Sequence, residues 1–186
     1  HTAALAGNDR VWDGVLRQYH IFRAESTEDL FDLAKALNYL KFPLGKKLLI
    51  IESSGGLGTI ASDIADNAGL EQPELDEITK EKLGHILPSH IVPRNPLDMA
   101  LLDSEPFEKT ASIGIMENFD LLLLIFGDPI ENASRVVAAF KRNTTKPIIV
   151  AFSGGGRVEE KESEKIRDLQ VLVFPSVTRA MKYFQF

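Results

Sequence analysis

Lys47-Leu48-Leu49-Ile50-Ile51-Glu52-Ser53-Ser54-Gly55-Gly56-Leu57-Gly58-Thr59-Ile60-Ala61 passes from an unbroken apolar run, through a serine and glycine turn, into a helical pattern. An apolar run that does not alternate suits a strand buried on both faces of a parallel sheet. The same punctuation recurs down the chain. Apolar runs at 121–126, 148–152 and 171–174 are each followed by a turn and then by helical spacing. Helices are expected over 57–68, 105–117, 133–141, 159–169 and 178–184. Strands alternating with helices define an α/β, doubly wound, mostly parallel sheet. Its second strand is hard to place, because the stretch at 70–75 is short and interrupted by Pro73.

Upstream of this alternation the pattern is helical. Val11, Trp12, Val15, Leu16 and Tyr19 fall at helical spacing behind Asn8 or Asp9 as caps. Trp12 is expected to anchor that helix on something apolar. Ser26 then opens a second helix, with Glu28 and Asp29 at its positive end and Leu30, Phe31, Leu33, Ala34, Leu37 and Leu40 as an apolar face. Pro43 and Gly45 close it. The chain therefore divides into a helical connector, 1–45, and a sheet domain, 46–186.

Composition limits what such a chain can do. Of 186 residues, 44% are hydrophobic and 26% charged, enough apolar surface to offset the entropy of ordering. The longest apolar run, at 121–126, is far below the roughly 20 residues that cross a bilayer. With 21 basic against 27 acidic side chains, and a net charge of -6, a basic stripe for nucleic acid is not expected. Cysteine is absent, which excludes disulfides and thiolate metal sites and suits a reducing cytoplasm. The chain opens on a histidine with no secretory n-region, so it reads as a piece excised from a longer protein.

The glycine turn is where chemistry is expected. In open α/β sheets, ligands gather beyond the carboxyl ends of strands, where helix amino termini present unpaired N–H groups and a positive dipole end. An anion is the natural guest, with Ser53 and Ser54 adding hydroxyls and Gly55, Gly56 and Gly58 allowing close backbone approach. The turn lacks the lysine of G-x-x-x-x-G-K-[ST]. Gly56, Gly58 and Ala61 do satisfy G-x-G-x-x-A, for which Glu71 or Glu74 stands near the distance of a ribose-binding acid. The plainer alternative is that the glycines only permit a sharp turn and close helix packing.

Other residues carry weaker signals. Asn95 and Asp98 form a candidate site loop, the alternative being local turn and capping bonds. His85 and His90 lack a third ligand nearby and read as surface histidines, and His20 as a linker residue. Gly154-Gly155-Gly156-Arg157 follows a strand and either widens the anion site or is simply a flexible loop.

His1-Thr2-Ala3-Ala4-Leu5-Ala6-Gly7-Asn8-Asp9 is similar to the Ser-His-Thr-Gly-Ala-Leu-Ala-Gly-Ser-Asp segment of the nucleoside-diphosphate-forming acyl-CoA synthetases. These include ADP-forming acetyl-CoA synthetases and are relatives of succinyl-CoA synthetase. Ser53-Ser54-Gly55-Gly56-Leu57-Gly58 resembles the family's Asn-Ser-Gly-Gly-Pro-Gly turn. Ala68-Gly69-Leu70-Glu71-Gln72-Pro73-Glu74-Leu75 resembles Ala-Gly-Leu-x-Leu-Pro-x-Leu, and Arg94-Asn95-Pro96-Leu97-Asp98 resembles Arg-Asn-Pro-Val-Asp. Met99-Ala100 stands where Leu-Thr-Gly is usual. Four motifs in order are far more specific than one glycine pattern.

The resemblance implies a flavodoxin-like domain preceded by the tail of another domain. It also implies an acid-thiol ligase that interconverts acyl-CoA, ADP and phosphate with free acid, CoA and ATP through a phosphohistidine. His1 takes the phosphorylated position, and the turn from Ser53 to Gly58 supplies one phosphate-binding helix amino terminus. ATP or ADP, Mg2+ and CoA belong to the complete enzyme, with none bound by this chain alone. The partners implied are the CoA-binding and ATP-grasp domains or subunits of the same enzyme and a small acid or its acyl-CoA, with neither nucleic acid nor membrane. Alone, the chain is expected to be catalytically silent. Two other readings stay open: a ligand-sensing domain of an acyltransferase-type homologue, and a stand-alone dinucleotide-binding domain.

Overall fold

A computed structural model describes residues 8–19, 21–42, 44–100 and 103–184. The chain forms two compact units, residues 1–36 and 37–186.

In the first unit, α1 (Asp9–Gln18) starts on Asn8, whose side chain accepts from the Arg10 N–H. Arg23 ties the following segment back to α1 through Asp9 and Asp13, at 2.7 and 2.6 Å. α2 (Thr27–Tyr39) begins in the first unit and ends in the second, with Ser26 Oγ accepting from the Asp29 N–H and Asp29 Oδ2 from the Glu25 N–H. That reciprocal pairing satisfies two otherwise orphaned donors. The apolar faces behave differently from expectation. α1 has no buried residue, and Trp12 is 52% exposed. In α2 the buried positions are Asp29, Asp32 and Ala36, while Leu30, Phe31 and Leu37 are exposed. A segment this short has too few apolar neighbours of its own to enclose those side chains.

The second unit is a five-stranded parallel sheet in the order β2-β1-β3-β4-β5. Its strands are β1 (Leu48–Glu52), β2 (Leu97–Asp98), β3 (Leu121–Phe126), β4 (Ile148–Phe152) and β5 (Leu172–Phe174). β1, β3 and β4 are buried along their whole length, as their continuous apolar runs require. The helices are α3 (Gly55–Asn67), α4 (Glu77–Gly84), α5 (Ser104–Ala111), α6 (Ala133–Asn143), α7 (Gly156–Asp168) and α8 (Val177–Met181), the last running into a 3-10 turn at Lys182–Phe184. α3 and α8 pack together against β1 and β4. Leu49, Ile51, Leu124 and Phe152 from the strands join Phe107 of α5, Phe140 of α6 and Ile166 of α7 in one apolar cluster. Phe126 stands between Phe107 and Phe152, with ring centroids 6.0 and 5.3 Å away.

Three features depart from the expected layout. The edge strand is Leu97–Asp98, while the stretch at 70–75 contributes only a bridge between Lys47 and Glu71. α4 occupies a segment with no expected helix, started by Asp76, which accepts from the Thr79 N–H and hydroxyl. α5 stops at Ala111 instead of reaching 117, and Gly114 takes a positive φ in the turns that follow. Lys146 holds those turns by donating from Nζ to the carbonyls of Met116, Glu117 and Phe119.

Candidate functional site

The strand order 2-1-3-4-5 reverses direction between β1 and β3, and a doubly wound sheet opens its binding crevice at the carboxyl ends of those strands. A cleft of about 550 Å³ lies there, lined by Ser53, Asp103, Ser104 and residues 128–132. A wider cleft of about 720 Å³ includes Gly45, Asp120, Pro147 and Val171, at the amino ends of β1, β3, β4 and β5, the wrong edge for the helix amino termini.

The serine and glycine turn sits at the favourable edge. Ser54 is the N-cap of α3 without a side-chain cap bond, and its carbonyl accepts from the N–H groups of Leu57 and Gly58. Among the described residues the Gly55 and Gly56 amides donate to no protein group. Ser53 is buried, and its Oγ accepts from the Gly127 N–H at 2.9 Å, so this hydroxyl clamps the ends of β1 and β3 together. A methyl group on Gly127 would lie 2.4 Å from Ser54 Cβ. Gly154 is pressed in the same way on the Asp128 backbone, which brings the loop after β4 against the loop after β3. Arg157, on the same side, is exposed.

Glu52, the last residue of β1, is a site residue that the motif reading passed over. It pairs in register with Asp98 of β2, so the two carboxyls project to the same side, toward α3. A methyl on Gly58 would fall 2.8 Å from Glu52 Oε1, and one on Gly55 would fall 3.1 Å from Asp98 Oδ2. Glu52 is 2% exposed, and its Oε2 is buried with no hydrogen-bond partner. Burial, reinforced by the Asp98 charge and opposed by the Ser54 N–H, lifts its carboxyl to about 7. The signal in the sequence was a carboxylate closing a run of four aliphatic residues.

Asp98 Oδ1 accepts from the Ala100 N–H at 2.7 Å, the local turn bond considered for it. Asn95 does something longer in range. Its Oδ1 accepts from the Ile50 N–H at 3.0 Å, and its Nδ2 donates to the carbonyls of Leu48 and Pro73 at 2.8 and 3.1 Å. Being 8% exposed, it is a clamp on β1 rather than a loop residue bonded to its own backbone. His85 is the exposed C-cap of α4, and His90 is exposed. His1 and His20 lie outside the described residues.

The same geometry bears on cofactors. Glu71 bridges Lys47 at the amino end of β1, a strand length of roughly 3.3 Å per residue from the turn, so it does not meet a ribose seated on Gly55 and Gly56. Among the described residues no three of His, Asp or Glu gather as metal ligands, and no helix is long and apolar enough to cross a membrane.

Comparison with known proteins gives concordant findings. The family profile of the succinyl-CoA ligase like flavodoxin domain matches residues 1–37. The alpha subunit of ADP-forming acetate--CoA ligase II of Pyrococcus furiosus is 30% identical over 174 residues, covering 88% of this chain and 38% of that protein. ADP-forming acetate--CoA ligase I of Archaeoglobus fulgidus is 32% identical over 170 residues, covering 87% of this chain and 23% of that protein. The chain thus spans well under half the length of these relatives. In structure, the dinucleotide forming acetyl-coenzyme A synthetase 1 of Ca. Korarchaeum cryptofilum, in complex with phosphate and ADP, superposes with a TM-score of 0.81 at 22% identity, over 97% of this chain and 40% of that one. That likeness establishes the flavodoxin-like fold. The order of motifs, the relatives and the fold agree, and the chain is a homologue of a segment of the ADP-forming acyl-CoA synthetases.

Proposed function

We propose that the chain is part of an ADP-forming acyl-CoA synthetase, an acid-thiol ligase that interconverts acyl-CoA, ADP and phosphate with acid, CoA and ATP. In this reading His1 carries the phosphoryl group and the Ser53 to Gly58 turn receives it. The observation that carries the second half is the pair of unengaged amides, Gly55 and Gly56, heading a thirteen-residue helix at the carboxyl edge of the sheet. A helix end of this kind stabilises an anion by roughly 0.3–1 kcal/mol when exposed and by up to about 2 when partly buried.

Imidazole suits the carrying role. Near neutral pH much of it is unprotonated and nucleophilic, and its phosphoramidate passes the group onward. Phosphoryl transfer rests on positioning and charge neutralisation, which a single helix end does not complete. The CoA-binding and ATP-grasp parts, with the nucleotide, Mg2+ and acyl substrates, then belong to the rest of the enzyme, and this chain alone turns nothing over. The exposed apolar sides of α1 and α2, within a segment matched by a flavodoxin-domain profile, fit the tail of a second such domain.

Labelling of the intact parent protein with [γ-³²P]ATP tests the reading. The expected result is an acid-labile, alkali-stable label that disappears in His1→Ala. A label that survives that substitution, or none in the wild type, overturns it.

A further inference from the structure

An anion berth is a poor place for a carboxylate, yet Glu52 and Asp98 both point at the α3 amino terminus. Resting on the phosphoryl-berth reading above, we propose that Glu52 makes anion capture at this turn proton-coupled: an oxyanion settles on the Gly55 and Gly56 amides as the Glu52–Asp98 pair takes up one proton, and the Glu52 O–H donates to it. On release the proton returns to solvent, and no covalent bond changes.

Glu52 is 98% removed from solvent and lies against Gly58, while its Oε2 has no partner in the protein. A buried polar atom without a partner calls for an explanation, and a missing ligand atom is one. When ionised, Glu52 and Asp98 place negative charge against Gly55 and Gly58 in the first turn of α3, the turn that an oxyanion would occupy, and burial strengthens that opposition. When protonated, Glu52 acquires a donor, while its Oε2 makes no hydrogen bond within the protein. Bound oxyanion supplies the acceptor, so proton and anion stabilise one another.

The surroundings leave few other groups to account for. β2 brings Asp98, β3 brings the uncharged Ile125 in register, and α3 presents Gly55 and Gly58, its first ionisable side chain being Asp63 two turns on. Asp98 is the one charged neighbour that acts on Glu52 among the described residues, and the carboxyl stands near 7, inside the range where such a switch responds.

The test uses the 186-residue chain, with backbone amide and side-chain carboxyl resonances followed by NMR during titration with sulfate, whose charge is constant from pH 6 to 8.5. Inorganic phosphate serves as a second probe. In the wild type, sulfate is expected to shift the Gly55 and Gly56 amides and to bind at least about tenfold more weakly at pH 8.5 than at pH 6. Glu52→Gln, which keeps volume and neutrality, should bind with less than about twofold dependence on pH. Asp98→Asn, at an exposed position, should move the midpoint of the wild-type fall to lower pH. Sulfate binding that is independent of pH in wild type and unchanged in Glu52→Gln overturns the coupling and spares the berth. No anion response at Gly55 and Gly56 in any variant overturns the berth, and the coupling with it. A response of the two carboxyls to Mg2+ in place of either anion overturns both.

Discussion

Glu52 ends a strand whose four preceding side chains, Leu48 to Ile51, are fully buried, and it is nearly as enclosed as they are. Its carboxyl holds its proton to about 7 when folded against an ordinary value of 4.5. Below 4.5 both states are protonated and folding carries no penalty. Between the two values the unfolded chain releases a proton that the folded one keeps, so stability falls as pH rises, and the full cost stands above 7. The gap corresponds to roughly 3 kcal/mol. Glu52→Gln is therefore expected to raise the thermal midpoint by several degrees at pH 8 and to change it little at pH 4, as measured by circular dichroism melts. Equal melts at both pH values would show an ordinary carboxyl. Gly127 is a second single-residue constraint, because it leaves no space beside Ser54 Cβ. Gly127→Ala should lose about 1–3 kcal/mol in urea unfolding, through displacement of the α3 start.

At the scale of elements, the sequence made the central strands readable and the edge of the sheet unreadable, for a physical reason. β1, β3 and β4 are buried on both faces, so each shows as a continuous apolar run. β2 has two residues, behind a cis Asn95–Pro96 bond, too short for any periodicity. Much of what fixes that edge is Asn95, whose amide bonds Ile50, Leu48 and Pro73 across large sequence separations. Local turn chemistry suggested nothing of the kind. Asn95→Ala should cost about 2–4 kcal/mol in urea unfolding, since buried backbone groups lose their partners. Asn95→Asp should cost at least as much, because it sets an oxygen against two carbonyls. A loss below about 0.5 kcal/mol for both would deny the clamp. α4 escaped notice because its polar surface pattern leaves only Thr79 and Leu83 buried. The turn was legible from spacing alone, while the roles of Glu52 and Ser53 needed register and burial.

At the scale of the whole molecule, the two units differ in what encloses them. The sheet unit is a closed α/β core, whereas α1 has no buried residue. Amide hydrogen exchange should therefore be faster in α1 than in β1, β3 and β4 by about three orders of magnitude or more. Comparable protection would mean that the helix is stabilised in a way its exposure does not show. The helical spacing of α1 and α2 was visible in the sequence, but the burial assigned to Trp12, Leu30, Phe31 and Leu37 was not met within the described residues. Periodicity reports that a helix has an apolar side, and says nothing about whether the chain in hand supplies the surface to cover it. Relatives more than twice as long fit that distinction.

The most direct measurement is made on the intact parent protein, comparing wild type with Gly56→Asp. Space around Gly56 is open, so the substitution adds a negative charge at the α3 amides without a clash. Phosphorylation at His1 from labelled ATP, or discharge of that label to ADP, should slow by at least about tenfold while the fold is kept. Rates of both steps equal to wild type would contradict the assignment of this turn as the phosphoryl berth.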